Sequence, residues 1–216
     1  MKRSLYLLTI LALLLGGCKK PGPTAAQRIA SFLESAWVSF EASLYPAAMQ
    51  DFRDVLALDE ENVEAKLGAG WSLVMIDDGG LDSAAALLDS TVTTDVDWQQ
   101  DAWAALATIR LSQQAYVSAD SLAELTLAQD PSYVFLHEPT IDWHDLLVYQ
   151  AQARFAQALY DSAWVAVVPL LSGGSPFDNM LRNDPATWTS GGVTYTYFPE
   201  ILALAISYFS ELYRKI

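Results

Sequence analysis

One stretch constrains the fold of this chain more than any other: Asp101 to Pro131, DAWAALATIRLSQQAYVSADSLAELTLAQDP. Trp103, Leu106, Ala107 and Arg110 recur at the spacing that puts side chains on one face of a helix. A turn is predicted at Gln113 to Ala115. Tyr116 and Ala119 then open a second helix that carries Ala123 and stops at Asp130-Pro131, because proline disfavours helical geometry in the residue before it. A helix–turn–helix unit of this size cannot bury its apolar face alone. It needs a neighbour of the same kind.

The neighbours are present as degenerate copies. Tyr45, Leu81, Tyr116 and Tyr160 mark equivalent turns, and each is followed three residues later by an alanine: Ala48, Ala84, Ala119 and Ala163. Four residues further on stand Phe52, Leu88, Ala123 and Val167. Small alanines let paired helices approach, and the larger residues fill the gap to the next pair. In the first copy Ile29, Phe32, Leu33, Ala36, Trp37, Phe40 and Leu44 form a wide apolar stripe. Pro46 sits in the first turn of the partner helix, where its missing N–H costs little. In the second copy Ala65, Gly70, Trp71 and Leu73 build the first helix, and Asp77-Asp78-Gly79-Gly80 breaks it. The fourth has Leu147, Ala151, Arg154 and Phe155, then Tyr160 to Leu171, with Pro169 distorting the end.

This pattern of Trp, small residue, turn aromatic, alanine and proline resembles the tetratricopeptide repeat, a helix–turn–helix unit of about 34 residues. Successive turns are 36, 35 and 44 residues apart, which implies insertions before the second, third and fourth turns. The expected fold is all-α: a tetratricopeptide-like solenoid of about four repeats, with a short β-hairpin or loop excursion and a C-terminal helix. In that family the first helices of the repeats line a concave face on which partners bind. Carried onto this chain, the lining residues are Leu33, Trp37 and Phe40; Leu67, Trp71 and Val74; Ala104, Thr108 and Leu111; and Val148, Gln152 and Phe155. Members that clamp a peptide carboxylate use Lys, Arg and Asn at such positions. The largely apolar set here argues against that use. Trp37 and Trp71 in matching register suggest an aromatic groove, able to hold an apolar segment or to stack on a sugar ring. The alternative is a groove filled internally, for which the segment 172–198, with Phe177, Trp188, Tyr195 and Tyr197, is the expected filler.

The N-terminus predicts export. Lys2 and Arg3 precede an eleven-residue apolar run, Leu5 to Leu15, shorter than a membrane span. The run closes on Leu15-Gly16-Gly17-Cys18, which resembles the bacterial lipobox. That resemblance implies cleavage before Cys18, diacylation of its thiol and a lipid-anchored envelope protein; Lys19 after the cysteine favours the outer membrane. Cys18 is the sole cysteine, so no internal disulfide can form. The expected organisation is a signal peptide over 1–17, a lipidated tether over 18–24, the repeat domain over 25–171, and a C-terminal loop, hairpin and capping helix over 172–216.

Charge narrows the partners. Twelve basic residues face 26 acidic ones, net −14, and processing would remove two of the basic ones. Such a surface repels phosphate backbones, so nucleic acid is not an expected partner. A 52% apolar content excludes a disordered acidic tail. His137, Glu138, Asp142, His144 and Asp145 crowd one insertion, Val134 to Trp143. Their spacing matches no metal motif, so a polar loop with Asp142 as a helix cap is expected, with no metal and no cofactor. No phosphate loop and no G-x-S-x-G elbow occurs, so no enzyme is expected. Thr187 to Thr189 and Val193 to Tyr197 flank a Gly-Gly turn as a hairpin. The last helix, Pro199 to Arg214, is apolar over most of its circumference, and is expected to be either sandwiched within the molecule or in contact with a partner. The functional expectation is a membrane-anchored protein–protein interaction scaffold in the cell envelope. The alternatives are a glycan or small-ligand binder using the aromatic groove, and a purely structural envelope lipoprotein.

Overall fold

A computed structural model describes residues 22–76, 80–94, 97–171 and 174–213. The signal peptide, Cys18 and most of the tether lie outside the described residues, as do Asp77-Asp78-Gly79 and Ser172-Gly173. Among the described residues the helices are α1 (Ala25–Glu41), α2 (Tyr45–Leu56), α3 (Val63–Met75), α4 (Leu81–Thr94), α5 (Gln99–Ser112), α6 (Tyr116–Gln129), α7 (Trp143–Ala156), α8 (Tyr160–Val167) and α9 (Phe198–Leu212). None is long and apolar enough to cross a membrane.

Local chemistry sets several boundaries. The Thr24 hydroxyl accepts from the Gln27 N–H while the Gln27 side chain reaches back to the Thr24 N–H, a capping box that starts α1. Asn62 caps α3, and Pro46 and Pro199 occupy the first turns of α2 and α9. Three of the turns inside helix pairs are built identically. Ser43, Gln114 and Ala158 each lie at φ 59°, two residues before Tyr45, Tyr116 and Tyr160. The next residue's N–H closes back on a carbonyl five residues upstream: Leu44 to Ser39, Ala115 to Arg110, and Leu159 to Arg154. These are Schellman closures made without glycine.

The helices pair as α1–α2, α3–α4, α5–α6 and α7–α8. Each pair packs on the next, and α1, α3, α5 and α7 form an inner row of neighbours. The fold is an all-α helix–turn–helix solenoid. Ala48, Ala84, Ala119 and Ala163 are all fully buried, and so are Phe52, Leu88, Ala123 and Val167. Glycines on α3 permit its closest approaches: a Cβ at Gly68 would fall 2.1 Å from the Phe52 ring, and one at Gly70 would fall 2.6 Å from Leu88. In the fourth pair α8 stops at Val167, and Pro169 falls in a 3₁₀ turn, Val168–Leu171.

Two segments leave the helical array. The first, between α6 and α7, is an ordered insert held by an antiparallel bridge at Val134 and Asp142. Bonds from the Phe135 N–H to the Ile141 carbonyl, and from the Trp143 N–H to the Tyr133 carbonyl, complete it. Asp142 is the N-cap of α7, in a capping box with Asp145. The second is the return segment between α8 and α9. It carries a short 3₁₀ helix, Pro185–Thr187, and a hairpin of strands β1 (Thr189–Ser190) and β2 (Val193–Thr194). Thr189 pairs with Thr194 and Ser190 with Val193, across Gly191 and Gly192 at φ 57° and 79°. Positive φ at both turn residues selects the tight hairpin whose twist matches its strands. The strands are shorter than expected. Thr187 belongs to the 3₁₀ helix, and Trp188 turns into the core, where its indole N–H donates to the Leu181 carbonyl at 2.8 Å.

The return segment also reverses the last helix. Arg182 pairs with Asp161 at the start of α8 and lies 4.0 Å over the Phe198 ring, so α9 begins level with the beginning of α8. Tyr213 at its end stacks on His144 at the start of α7, whereas Ala203 near its beginning lies beside Phe155 and Ala156 at the end of α7. α9 therefore crosses α7 in the opposite sense. Its apolar circumference is sandwiched: Ile201, Leu202, Ala205, Ile206 and Phe209 are buried with Val148 and Ala151 of α7, Ala163 and Val167 of α8, and Phe177, Met180 and Trp188 of the return segment.

Candidate functional site

The inner helix row carries the residues expected to line a groove, and the structure divides them into two sets. Over α1, α3 and α5 the concavity is filled by the insert. Alternate residues of its first strand face opposite ways. Tyr133 and Phe135 are buried and His137 points inward, whereas Val134 and Leu136 are exposed. Phe135 stacks on Trp71 at 4.6 Å between ring centres, and its ring lies 6.5 Å from Trp37 and 6.0 Å from Phe40. His137 lies flat on Trp37 at 3.6 Å, with Nδ1 2.9 Å from the Glu41 carboxylate. The Trp37 indole N–H donates to Glu64 at 2.8 Å. The Trp71 N–H has no hydrogen-bond partner among the described residues.

An open aromatic platform is thus corrected to a closed one. Trp37 and Trp71 are 7% and 0% exposed. Phe40, Leu67, Val74 and Thr108 are likewise buried, and Leu33 packs against the same core. The Thr108 hydroxyl returns to its own helix, at the Ala104 carbonyl. An internal filler was anticipated, but the segment 172–198 was the expected one. The filler over these three helices is the insert, because its two-residue period aims an aromatic into each gap, whereas the return segment packs on α8 and α9.

Polar groups under the insert are paired. The Tyr133 hydroxyl donates to Asp101 at 2.9 Å. Burial pushes the Asp101 carboxyl above the usual carboxylate range, and the Tyr133 bond pulls partly against that. Tyr133 is itself held well above the ordinary phenol range, first by burial and then by the facing Asp101. Tyr149 on α7 is raised too, by burial and by Asp145. Each shift favours the protonated form, so this is a packed interior rather than a site poised for proton transfer. The acidic and histidine residues of the insert are dispersed: His137 bonds Glu41, Thr140 bonds Glu138, and His144 bonds Asp142. Among the described residues no group of three or more His, Cys, Asp or Glu is arranged to hold a metal.

Over α7 the arrangement differs. Val148 is buried under α9 and Leu111 on α5 is half-buried. Gln152 and Phe155, however, line an open cleft of about 360 Å³ between α7 and α9. Across it stand Ala203, Ile206, Ser207, Ser210 and Glu211. The Gln152 amide donates to the Ser210 hydroxyl at 2.8 Å, which spans the two helices at one end. The Phe155 ring is held edge-to-face against Tyr160, centres 5.2 Å apart. Sequence reasoning found the α7 wall of this cleft by repeat register and missed the α9 wall. The small residues Ala203, Ser207 and Ser210 recur at helical spacing on α9, but only the reversed docking of that helix turns them toward α7.

Comparison with protein-family models, with curated proteins and with solved structures returns no match to this chain.

Proposed function

We propose that the chain is a membrane-anchored envelope lipoprotein that serves as a protein–protein interaction scaffold. The observation that carries this reading is the helix–turn–helix stack whose inner row ends in an open cleft, with Gln152 and Phe155 accessible. Stacked helix pairs supply a rigid surface on which such a site is pre-organised, and pre-organisation lowers the cost of binding. The anchor rests on the sequence alone: the charged start, the apolar run and Gly16-Gly17-Cys18.

Two measurements test the two halves of the reading. Palmitate labelling in a bacterial host is expected to mark the parent chain and to miss Cys18→Ser; equal labelling of both removes the anchor. Capture of envelope proteins on the full chain is expected to retain a partner that a folded Gln152→Ala/Phe155→Ala variant loses. Retention by both would place the partner elsewhere.

A second reading, a purely structural envelope protein, is favoured by the insert. A groove closed by Phe135, Tyr133 and Ile141, all but fully buried, is occupied in the way a core is. The glycan reading loses its Trp37–Trp71 platform to the same residues.

A further inference from the structure

We propose that the cleft between α7 and α9 is a binding site for a pyranose sugar. The inference stands apart from the scaffold reading and from the tryptophans, which are covered.

The cleft is asymmetric in chemistry. Phe155 and Ile206 supply an apolar part, and Ala203, the smallest residue facing it from α9, leaves room above them. The polar part is Gln152, Ser207, Ser210 and Glu211. Gln152 uses one amide hydrogen on Ser210, which leaves its carbonyl oxygen and a second N–H. Ser210 accepts that bond, so its own proton remains to be donated. The Glu211 carboxylate and the Ser207 hydroxyl make no hydrogen bond or ion pair with the described residues. One edge thus offers an amide, two hydroxyls and a carboxylate, and the other offers an aromatic ring and aliphatic carbons.

A pyranose has the complementary division. Its hydroxyls radiate from the ring edge as combined donors and acceptors, while its axial C–H bonds make a face that packs on an aromatic ring. The volume of about 360 Å³ sits at the lower end of small-molecule sites, suited to one or two sugar rings. Glu211 and the net charge of −14 disfavour an anionic ligand, whereas a neutral polyol is unaffected. The site is already organised: the Gln152–Ser210 bond and the Phe155–Tyr160 contact fix two of its groups before any ligand arrives.

Saturation-transfer NMR on the full chain in detergent tests the proposal, with methyl β-glucopyranoside and N-acetylglucosamine as probes. Sorbitol, which has the hydroxyls without a ring face, and free arginine, which is cationic, serve as controls. At least one sugar is expected to receive transfer, strongest at its ring C–H protons, with both controls weaker. Phe155→Leu, which keeps apolar bulk and removes the ring, should weaken sugar binding by roughly tenfold, while Phe155→Trp should hold or tighten it. Gln152→Ala should weaken it comparably, with circular dichroism confirming that each variant folds. The proposal is overturned if neither sugar binds the parent, if sorbitol or arginine binds in their place, or if Phe155→Leu and Gln152→Ala bind sugar as the parent does. None of these outcomes bears on capture of a protein partner.

Discussion

The insert and the return segment are both departures from the helical repeat, and they do opposite things to the concave face. The insert folds inward. Its alternating residues drive Tyr133, Phe135 and His137 into the space between α1, α3 and α5, and the first core absorbs Tyr133, Phe135 and Ile141. The return segment folds outward around α8, and its buried Phe177, Met180 and Trp188 belong to a second core with α9. One erases a groove; the other, by delivering α9 in the reverse sense, creates a cleft. An insertion's effect on a repeat surface is therefore decided by where its apolar residues point, and not by its length.

The largest expected effect lies in the insert. Phe135→Ala should cost about 3–5 kcal/mol, as buried phenylalanine truncations do, because the ring spans Trp37, Phe40 and Trp71. It should also raise acrylamide quenching of tryptophan fluorescence. Urea unfolding measures the first effect. A cost below about 1 kcal/mol would mean that the insert is a lid on the groove and not part of its core. Trp188→Ala in the return segment is the matched perturbation. It should destabilise the second core while leaving the Phe135–Trp71 contact intact.

Next comes Gly68→Ala, which places a methyl group against the fully buried Phe52 ring. Overpacking of this kind costs about 1–3 kcal/mol. Because the residue lies in neither departure, the loss should appear without a change in groove or cleft accessibility.

Tyr133→Phe should cost a similar amount, about 1–3 kcal/mol, by leaving Asp101 buried without its donor. The pH dependence has a definite sign. Folding raises the Tyr133 and Tyr149 pKa values, so their contribution is complete below the unfolded phenol pKa and is lost as pH climbs through the folded values. Stability should fall steeply above pH of about 10. In Tyr133→Phe that fall should be shallower, because only Tyr149 of the pair remains; an unchanged alkaline slope would separate the insert from this titration. Asp101 is also raised, so its contribution is present at acid pH and fades as pH rises from about 4.

The smallest effect is a gain. Ala158→Gly relieves a left-handed alanine in the Schellman turn of the last helix pair, and should stabilise the chain by about 1 kcal/mol. Thermal unfolding reads it. The gain should be confined to stability, since this turn is common to the repeats and belongs to neither departure.

The repeat was legible because it is local and redundant. Ala48, Ala84, Ala119 and Ala163 announce helix pairs by spacing alone, and the same spacing puts all four in the core. Asp142 was legible as a cap for a similar reason, since its partners His144 and Asp145 lie within three residues. The α7 half of the cleft followed from repeat register, which carries a residue's position from one copy to the next. Register says nothing about segments that have no counterpart in other copies. The period of two in Tyr133, Phe135 and His137 is visible in the sequence, but what those side chains meet is set by α1 and α3, more than 60 residues upstream. The sense of α9 is likewise fixed by the pairing of Arg182 with Asp161 and Phe198, contacts between elements with no fixed spacing. The sequence by itself determined the helices, their pairing and the inner row, because those depend on neighbours along the chain. Only the tertiary structure decided which part of that row is covered and which stays open, because that depends on long-range packing of two unique segments against surfaces the repeat had already made.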